Sequence, residues 1–208
     1  MYNLILKDVK LQKWLHLFYI AIAVFYLLME SSLAVVIGII GINYAINCHW
    51  GDHKKNGNMF LLSLPYSRTQ IILSKFTGTF LFTLITAFAA AGFQSIYSWI
   101  MSGNLYFASP AEILTGILLV MIGASFYFPF FYKFDNKYLL AAFSFILVLL
   151  IFTGYKLMDY AGEQVREFFQ TIVKLSQTEQ LLYLGIAAIG ITVLSFLLTV
   201  QIYKKRDF

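Results

Sequence analysis

The sequence predicts an all-α integral membrane protein, and three observations carry that prediction. Of 208 residues, 60% are apolar and 12% are charged, against about 45–50% apolar and about 25% charged in an ordinary soluble domain. Six windows, near residues 14–30, 32–48, 76–98, 112–132, 138–158 and 180–203, are long and apolar enough for a hydrocarbon core that takes about 20 helical residues to cross. The basic residues fall unevenly between successive connections, the asymmetry that orients multi-pass chains.

The opening segment, residues 1–13, places Tyr2, Ile5, Leu6 and Val9 at i, i+3, i+4 and i+7, with Lys7 and Lys10 on another face. That spacing predicts an amphipathic helix lying in the membrane interface. No small-residue cleavage site follows the first apolar run, so the first span is expected to stay in the protein. The second span, 32–48, is the weakest of the six, being short and carrying Asn43.

From Arg68 to Ile100 the chain has no breaker except glycines. A helix of that length measures about 50 Å at about 1.5 Å per residue, well beyond a core of about 30 Å. Its excess is expected to project from the membrane, carrying Arg68 and Lys75. "SPAE" at 109–112 predicts the start of the fourth span, with Ser109 as cap, Pro110 in the first helical position and Glu112 reaching back. Pro129 should bend that span or free a carbonyl. Between the fifth and sixth spans, Ala161, Val165, Phe168, Ile172 and Leu175 recur at helical spacing among charged residues. They predict an external amphipathic helix over 159–179. With no repeat or linker in the sequence, residues 1–208 read as one domain.

Charge placement gives the orientation. With the N-terminus inside, one side holds Lys7, Lys10, Lys13, Lys54, Lys55, Arg68, Lys75, Lys133, Lys137, Lys204, Lys205 and Arg206, and the other only Lys156, Arg166 and Lys174. Both termini are therefore expected in the cytoplasm, with the chain in the plasma membrane of a bacterial cell. The net charge of +5 is the positive-inside signal plus contact with anionic lipid, and calls for no nucleic acid.

The polar stretch "NCHWGDHKKNGNMFLLSLPYSR", residues 47–68, holds the chain's one cysteine and two of its three histidines. Cys48, His49, Asp52 and His53 are possible zinc ligands, and His49 and His53 are four apart. Zinc sites normally draw on two separated pairs, and Gly51 is expected to break the helix that the pair needs. No metal is expected on that ground. There is no catalytic arrangement of Ser, His and Asp, no phosphate-cradling loop, and no acid within a span, since all ten acidic residues fall at span ends or in loops. An ion-coupled transporter usually places an ionisable group at membrane depth. The energy for any transport is expected from a partner.

What stands out is a candidate docking segment. Asn58, Met59, Phe60, Leu61, Leu62, Ser63 and Leu64 form a short apolar turn, followed by Pro65, Ser67, Arg68 and a long helix through Lys75. The apolar residues could fit a groove on a cytoplasmic partner or dip into the inner leaflet. This segment resembles the signature of the permease subunits of type-2 ABC exporters, in which the second and third spans are joined by charged residues and a Leu-Leu-x-Leu-Pro-Val-Ser-Arg run. The matching residues are Asp52, Lys54, Lys55, Leu61, Leu62, Ser63, Leu64, Pro65, Ser67, Arg68 and Lys75, with Tyr66 where valine is usual. In outline the resemblance covers the whole chain, but only these residues are sequence-specific.

The resemblance implies a coupling helix within residues 49–75 that seats on a separate ATPase subunit. It implies a second permease, identical or related, and no catalytic residue, metal or cofactor on this chain, with ATP and Mg held by the partner. The length is similar to that of short permeases exporting phenol-soluble modulins or conferring antimicrobial-peptide resistance. A hydrophobic or amphipathic cargo fits spans without charge, and Thr79, Thr83, Thr86, Gln94 and Ser95 of the third span, with Thr77 and Ser98, are candidates to line its path. Their alternative role is close helix packing. Most of the 21 Phe and 14 Tyr are expected to face lipid or its interface. Rival readings are a polytopic membrane enzyme using the Cys48, His49, Asp52 and His53 cluster, a secondary transporter, and a non-transporting anchor or sensor for an ATPase.

Overall fold

The computed structural model describes residues 2–28, 31–53, 64–105, 107–134 and 175–205, with the side chains of residues 27 and 50–53 also left out. Among the described residues the structure is all helix: α1 Tyr2–Leu11, α2 Lys13–Leu28, α3 Leu33–His53, α4 Arg68–Ser102, α5 Pro110–Lys133 and α6 Gln177–Lys204. Five of the six expected spans coincide with α2 to α6. The span expected at 138–158 lies outside the described residues, as does 159–174 of the external helix expected over 159–179, whose last three residues, from Gln177, instead begin α6. Three helices, α4, α5 and α6, are long and apolar enough to cross a membrane, while the apolar parts of α2 and α3 are shorter.

Helix ends follow local chemistry. Ser67 opens α4 with a capping box, its hydroxyl accepting from the Gln70 amide while the Gln70 side chain accepts from the Ser67 amide. Ser176 and Glu179 do the same for α6. Both satisfy amides that a helix start otherwise leaves bare. At α5 Pro110 takes the first helical position as expected, but Ser109 makes no side-chain cap bond. The Glu112 amide, the donor that a capping hydroxyl would take, bonds the Ser109 carbonyl instead, at 3.0 Å. Gly103, at φ 71°, closes α4 in the left-handed conformation that glycine adopts without steric cost. Gly51 does not end α3, which runs on to His53. A glycine inside a helix costs only about 1 kcal/mol relative to alanine, so it weakens a helix without forbidding it.

Helix α5 sits at the centre and packs against α3, α4 and α6, while α1 lies against α3 and α4, and α2 against α3. Small residues bring α3 and α5 together. A Cβ on Gly116 would stand 2.8 Å from Ile37 Cβ and 3.1 Å from the Ala34 backbone, and one on Gly41 would stand 2.5 Å from Val120 Cγ2. Such contacts replace the hydrophobic drive that helices lose when lipid surrounds them.

Two cores result. One gathers Leu33, Val36, Ile37, Ile40, Tyr44, Ala87, Ala90 and Val120, with Tyr44 stacked on Phe82 at 3.8 Å between ring centres. The other, at the end bearing Arg68 and Lys204, gathers Ile71, Ile72, Tyr127, Phe128, Phe131, Tyr132 and Tyr203. Several of the largest fully buried side chains are therefore aromatic, where most aromatics were expected to face lipid. Pro129 does what its position predicts. It lacks the amide that would bond the Ser125 carbonyl, and Ser195 Oγ of α6 donates to that carbonyl instead, at 2.6 Å. Ser125 Oγ in turn reaches Thr192 Oγ1 at 3.1 Å.

Gly116→Leu should lower the apparent melting temperature of the detergent-purified chain, with a penalty of about 1–3 kcal/mol for overpacking a rigid backbone contact. Gly92→Ala, where an added Cβ meets nothing within 4 Å, should leave it unchanged or raise it slightly. Equal behaviour of the two variants in a thermal-unfolding assay would contradict the tight α3–α5 contact.

Candidate functional site

At one end of the bundle the ends of α1, α3, α5 and α6 meet the beginnings of α2 and α4. In the first two turns of α4, Arg68, Ile71, Ile72 and Lys75 stand at i, i+3, i+4 and i+7, so a charge lies at each end of one inward stripe. Ile71 and Ile72 are buried in the core there. Lys75 is buried with them, at 2% exposure, rather than projecting from the bundle.

The Lys75 ammonium donates to both carboxylate oxygens of Asp8, at 2.9 and 2.8 Å, and to the Cys48 carbonyl at 3.2 Å. Asp8, 3% exposed, is a buried acid in α1, outside the expected spans, and Lys7 Nζ lies 3.2 Å from its Oδ1. Leu4, Asp8 and Gln12 stand four apart, and all three are buried. The face that α1 turns into the bundle is therefore not the Tyr2, Ile5, Leu6 and Val9 face, of which Tyr2 and Val9 are exposed. The missed signal was an acid in the same heptad-like row as Leu4.

Gln12, the single residue between α1 and α2, extends this polar node. Its amide nitrogen donates to Cys48 Sγ at 3.0 Å, and its amide oxygen accepts from the Tyr19 hydroxyl at 3.0 Å. Asn47 Nδ2 donates to that same hydroxyl. On the far side, Arg68 Nη1 donates to the Tyr203 and Lys204 carbonyls at 3.1 and 2.7 Å. It thereby satisfies carbonyls that the end of α6 leaves without intrahelical partners. The approach to Arg68 is turned tightly at Pro65, where the Tyr66 amide bonds the Leu64 carbonyl at 2.7 Å. Leu64 and Tyr66 are half-buried against the chain's own core.

The other predicted residues fall as follows. Asn58, Met59, Phe60, Leu61, Leu62 and Ser63 lie outside the described residues, as do Lys54 and Lys55. Cys48 and His49 face different neighbours, since Cys48 meets Gln12 while His49 packs edge-on to Tyr132 at 4.6 Å. No group of three or more possible metal ligands exists among the described residues, and the side chains of Asp52 and His53 lie outside them.

The third-span hydroxyls do not share one cavity. Thr79 and Thr83 line an apolar groove of about 280 Å³ between α4, α5 and α6, with Phe76, Phe80, Val120 and Thr192. Thr86 lines another, of about 320 Å³, on the side of α2 and α3 with Tyr19, Ile40 and Phe93. Gln94 and Ser95 lie farther along α4. Thr83, Thr86 and Ser95 donate to the carbonyls of Thr79, Phe82 and Ala91, four residues back in each case. By contrast, Thr79 Oγ1 and Gln94 Oε1 are buried with no hydrogen-bond partner among the described residues.

Removing one member of a buried, hydrogen-bonded ion pair strands the other, at a cost of about 3–5 kcal/mol. Asp8→Ala should therefore destabilise the purified chain strongly in a thermal-unfolding assay, and the double variant Asp8→Ala, Lys75→Met should recover much of the loss. Additive losses would show that the two charges are not paired in the folded chain.

Residues 3–204 match the family model described as ABC-2 family transporter protein. No curated protein and no solved structure matches the chain. The matched span takes in α1, the Leu-Pro-x-Ser-Arg segment and the end of α6, so the whole node just described lies within it. This chain belongs to the ABC-2 transporter family, as a multi-pass membrane component of transport that is not itself catalytic.

Proposed function

We propose that the chain is the membrane-spanning subunit of an ATP-driven exporter, coupled through residues 49–75 to a separate ATPase. The observation that carries this reading is the family match running through a segment that leads, by way of Pro65 and Ser67, directly into the capped start of α4. Family membership implies an ABC ATPase partner and usually a second permease. On this reading both nucleotide and Mg sit on the partner, and two permeases, identical or related, enclose the pathway. The topology is six spans, with both termini and the Arg68 end of the bundle cytoplasmic, in the plasma membrane of a bacterium. The clustering of Arg68 against Lys204 and of Lys7 beside the α1–α4 contact supports that orientation.

In this mechanism ATP closes the partner ATPases around Leu61 and Leu62, and the displacement enters α4 at its first turn. Coupling requires that the two ATPase states contact this segment differently. Arg68, bonded to the end of α6, carries the displacement across the bundle instead of meeting the partner. A hydrophobic or amphipathic cargo, such as a peptide toxin, an antimicrobial peptide or a lipid-like molecule, fits the apolar grooves flanking α4. Thr79, Thr83 and Thr86 are the path residues with the best placement, ahead of Gln94 and Ser95. The buried Asp8 lies in α1, outside the expected spans, and Lys75 pairs with it directly, so the pair is no vacant ion site.

A mild-detergent pulldown of the tagged chain from its native membrane, followed by mass spectrometry, tests the reading. A cytoplasmic ATPase in near-equal amount is expected, lost when Leu61 and Leu62 are both changed to Asp while the permease still extracts and folds. Recovery of the chain alone, or retention of the ATPase by the double variant, would overturn the assignment.

A further inference from the structure

Three polar contacts fasten the first two turns of α4 to its neighbours. Arg68 holds the end of α6, while Lys75 holds Asp8 on α1 and the Cys48 carbonyl on α3. All three lie within eight residues of Ser67, where the proposed ATPase-contacting segment ends. Of these, the Lys75 contacts are the most deeply buried. The ammonium's three donors meet three acceptors, and water is excluded on both sides of the pair, Lys75 being 2% and Asp8 3% exposed. An apolar interface lets one helix slide past another, because neighbouring side chains exchange similar contacts. A buried ion pair does not, since a shift of even a few ångströms leaves two uncompensated charges in a low-dielectric interior.

We infer that Asp8 and Lys75 are positioning residues that make α1 travel with the start of α4 as one body, so that a displacement entering at Ser67 is delivered to α1. This deepens the proposed coupling role and rests on it for the source of the displacement. Gln12 continues the same connection, because it ends α1 and bonds Cys48 Sγ next to the Cys48 carbonyl that Lys75 uses. Helix α1, on this inference, is a moving part of the permease and not merely a membrane anchor.

The test uses nitroxide labels at Lys10→Cys and Leu73→Cys, both exposed positions on the bundle surface, in a Cys48→Ala background that keeps the backbone carbonyl. Pulsed electron resonance then reads the α1–α4 separation in nanodiscs. For the permease alone we expect one narrow distance, broadened or displaced by Asp8→Asn. Lys75→Met, which keeps side-chain length without charge, serves if Asp8→Asn does not fold. In the complex with its ATPase, trapping with ATP, Mg and vanadate should leave the parent distance unchanged and alter it in the variant. A merely structural pair would change stability without making the separation depend on the nucleotide. The inference is overturned if Asp8→Asn and Lys75→Met both leave the permease-alone distance narrow and unmoved, or if trapping alters the parent distance. A chain that captures no ATPase instead defeats the coupling reading, and the permease-alone distances still decide whether the pair joins α1 to α4.

Discussion

The constraint on which the bundle depends is that a polar group enclosed by apolar helices must find its partner inside the protein. Thr79 Oγ1 and Gln94 Oε1 find none among the described residues, but three departures from a plain apolar bundle answer it. Lys75 is enclosed, so Asp8 and the Cys48 carbonyl surround it. Pro129 strips the Ser125 carbonyl of its helical donor, and Ser195 supplies another. The end of α6 exposes carbonyls, and Arg68 reaches them. These bonds are few, but each joins a different pair of helices, so they set which elements are tied and which are only in contact.

The distribution of those ties is unequal. At the end holding Arg68 and Lys75, α1, α3, α4 and α6 are cross-bonded through charged or amide groups. Along the middle, α3 and α5 rely on the bare backbone faces of Gly41 and Gly116, and α4 is flanked by apolar grooves on two sides. The middle is therefore held mostly by apolar contacts, with the Ser125 bonds to Ser195 and Thr192 as polar exceptions, and close-packed apolar faces can exchange partners where a buried ion pair cannot.

How much of this was legible in the sequence follows from the range over which each interaction acts. Helices α2 to α6 were readable because hydropathy is summed along one segment, and their ends moved by only a few residues when caps were resolved. The Ser67–Gln70 and Ser176–Glu179 boxes are local signals too, each contained within four consecutive residues. Gly51 misled because local propensity is a small term beside the packing that carries α3 through it. The Asp8–Lys75 pair was not legible: its members stand 67 residues apart, and each alone resembles a solvated charge at a helix end. Burial of Tyr44, Tyr127 and Tyr203 was hidden for a related reason, since an aromatic side chain in a span suits lipid and core equally until the neighbouring helix is known.

The hydroxyls of α4 show why a polar run in a membrane helix is a poor guide to a pathway. A threonine or serine inside a helix can donate to the carbonyl four residues back, and Thr83, Thr86 and Ser95 all do. Such a side chain presents little more than its methyl or methylene to whatever lies beside it. Thr79 does not make that bond, and it stands in the groove shared by α4, α5 and α6 with its hydroxyl buried and unpartnered among the described residues. With almost no exposed surface on that oxygen, the missing bond is a cost borne within the folded chain and not an open contact for a passing molecule. Within the run of hydroxyls, then, the useful distinction is not polarity but whether the hydrogen atom is already committed.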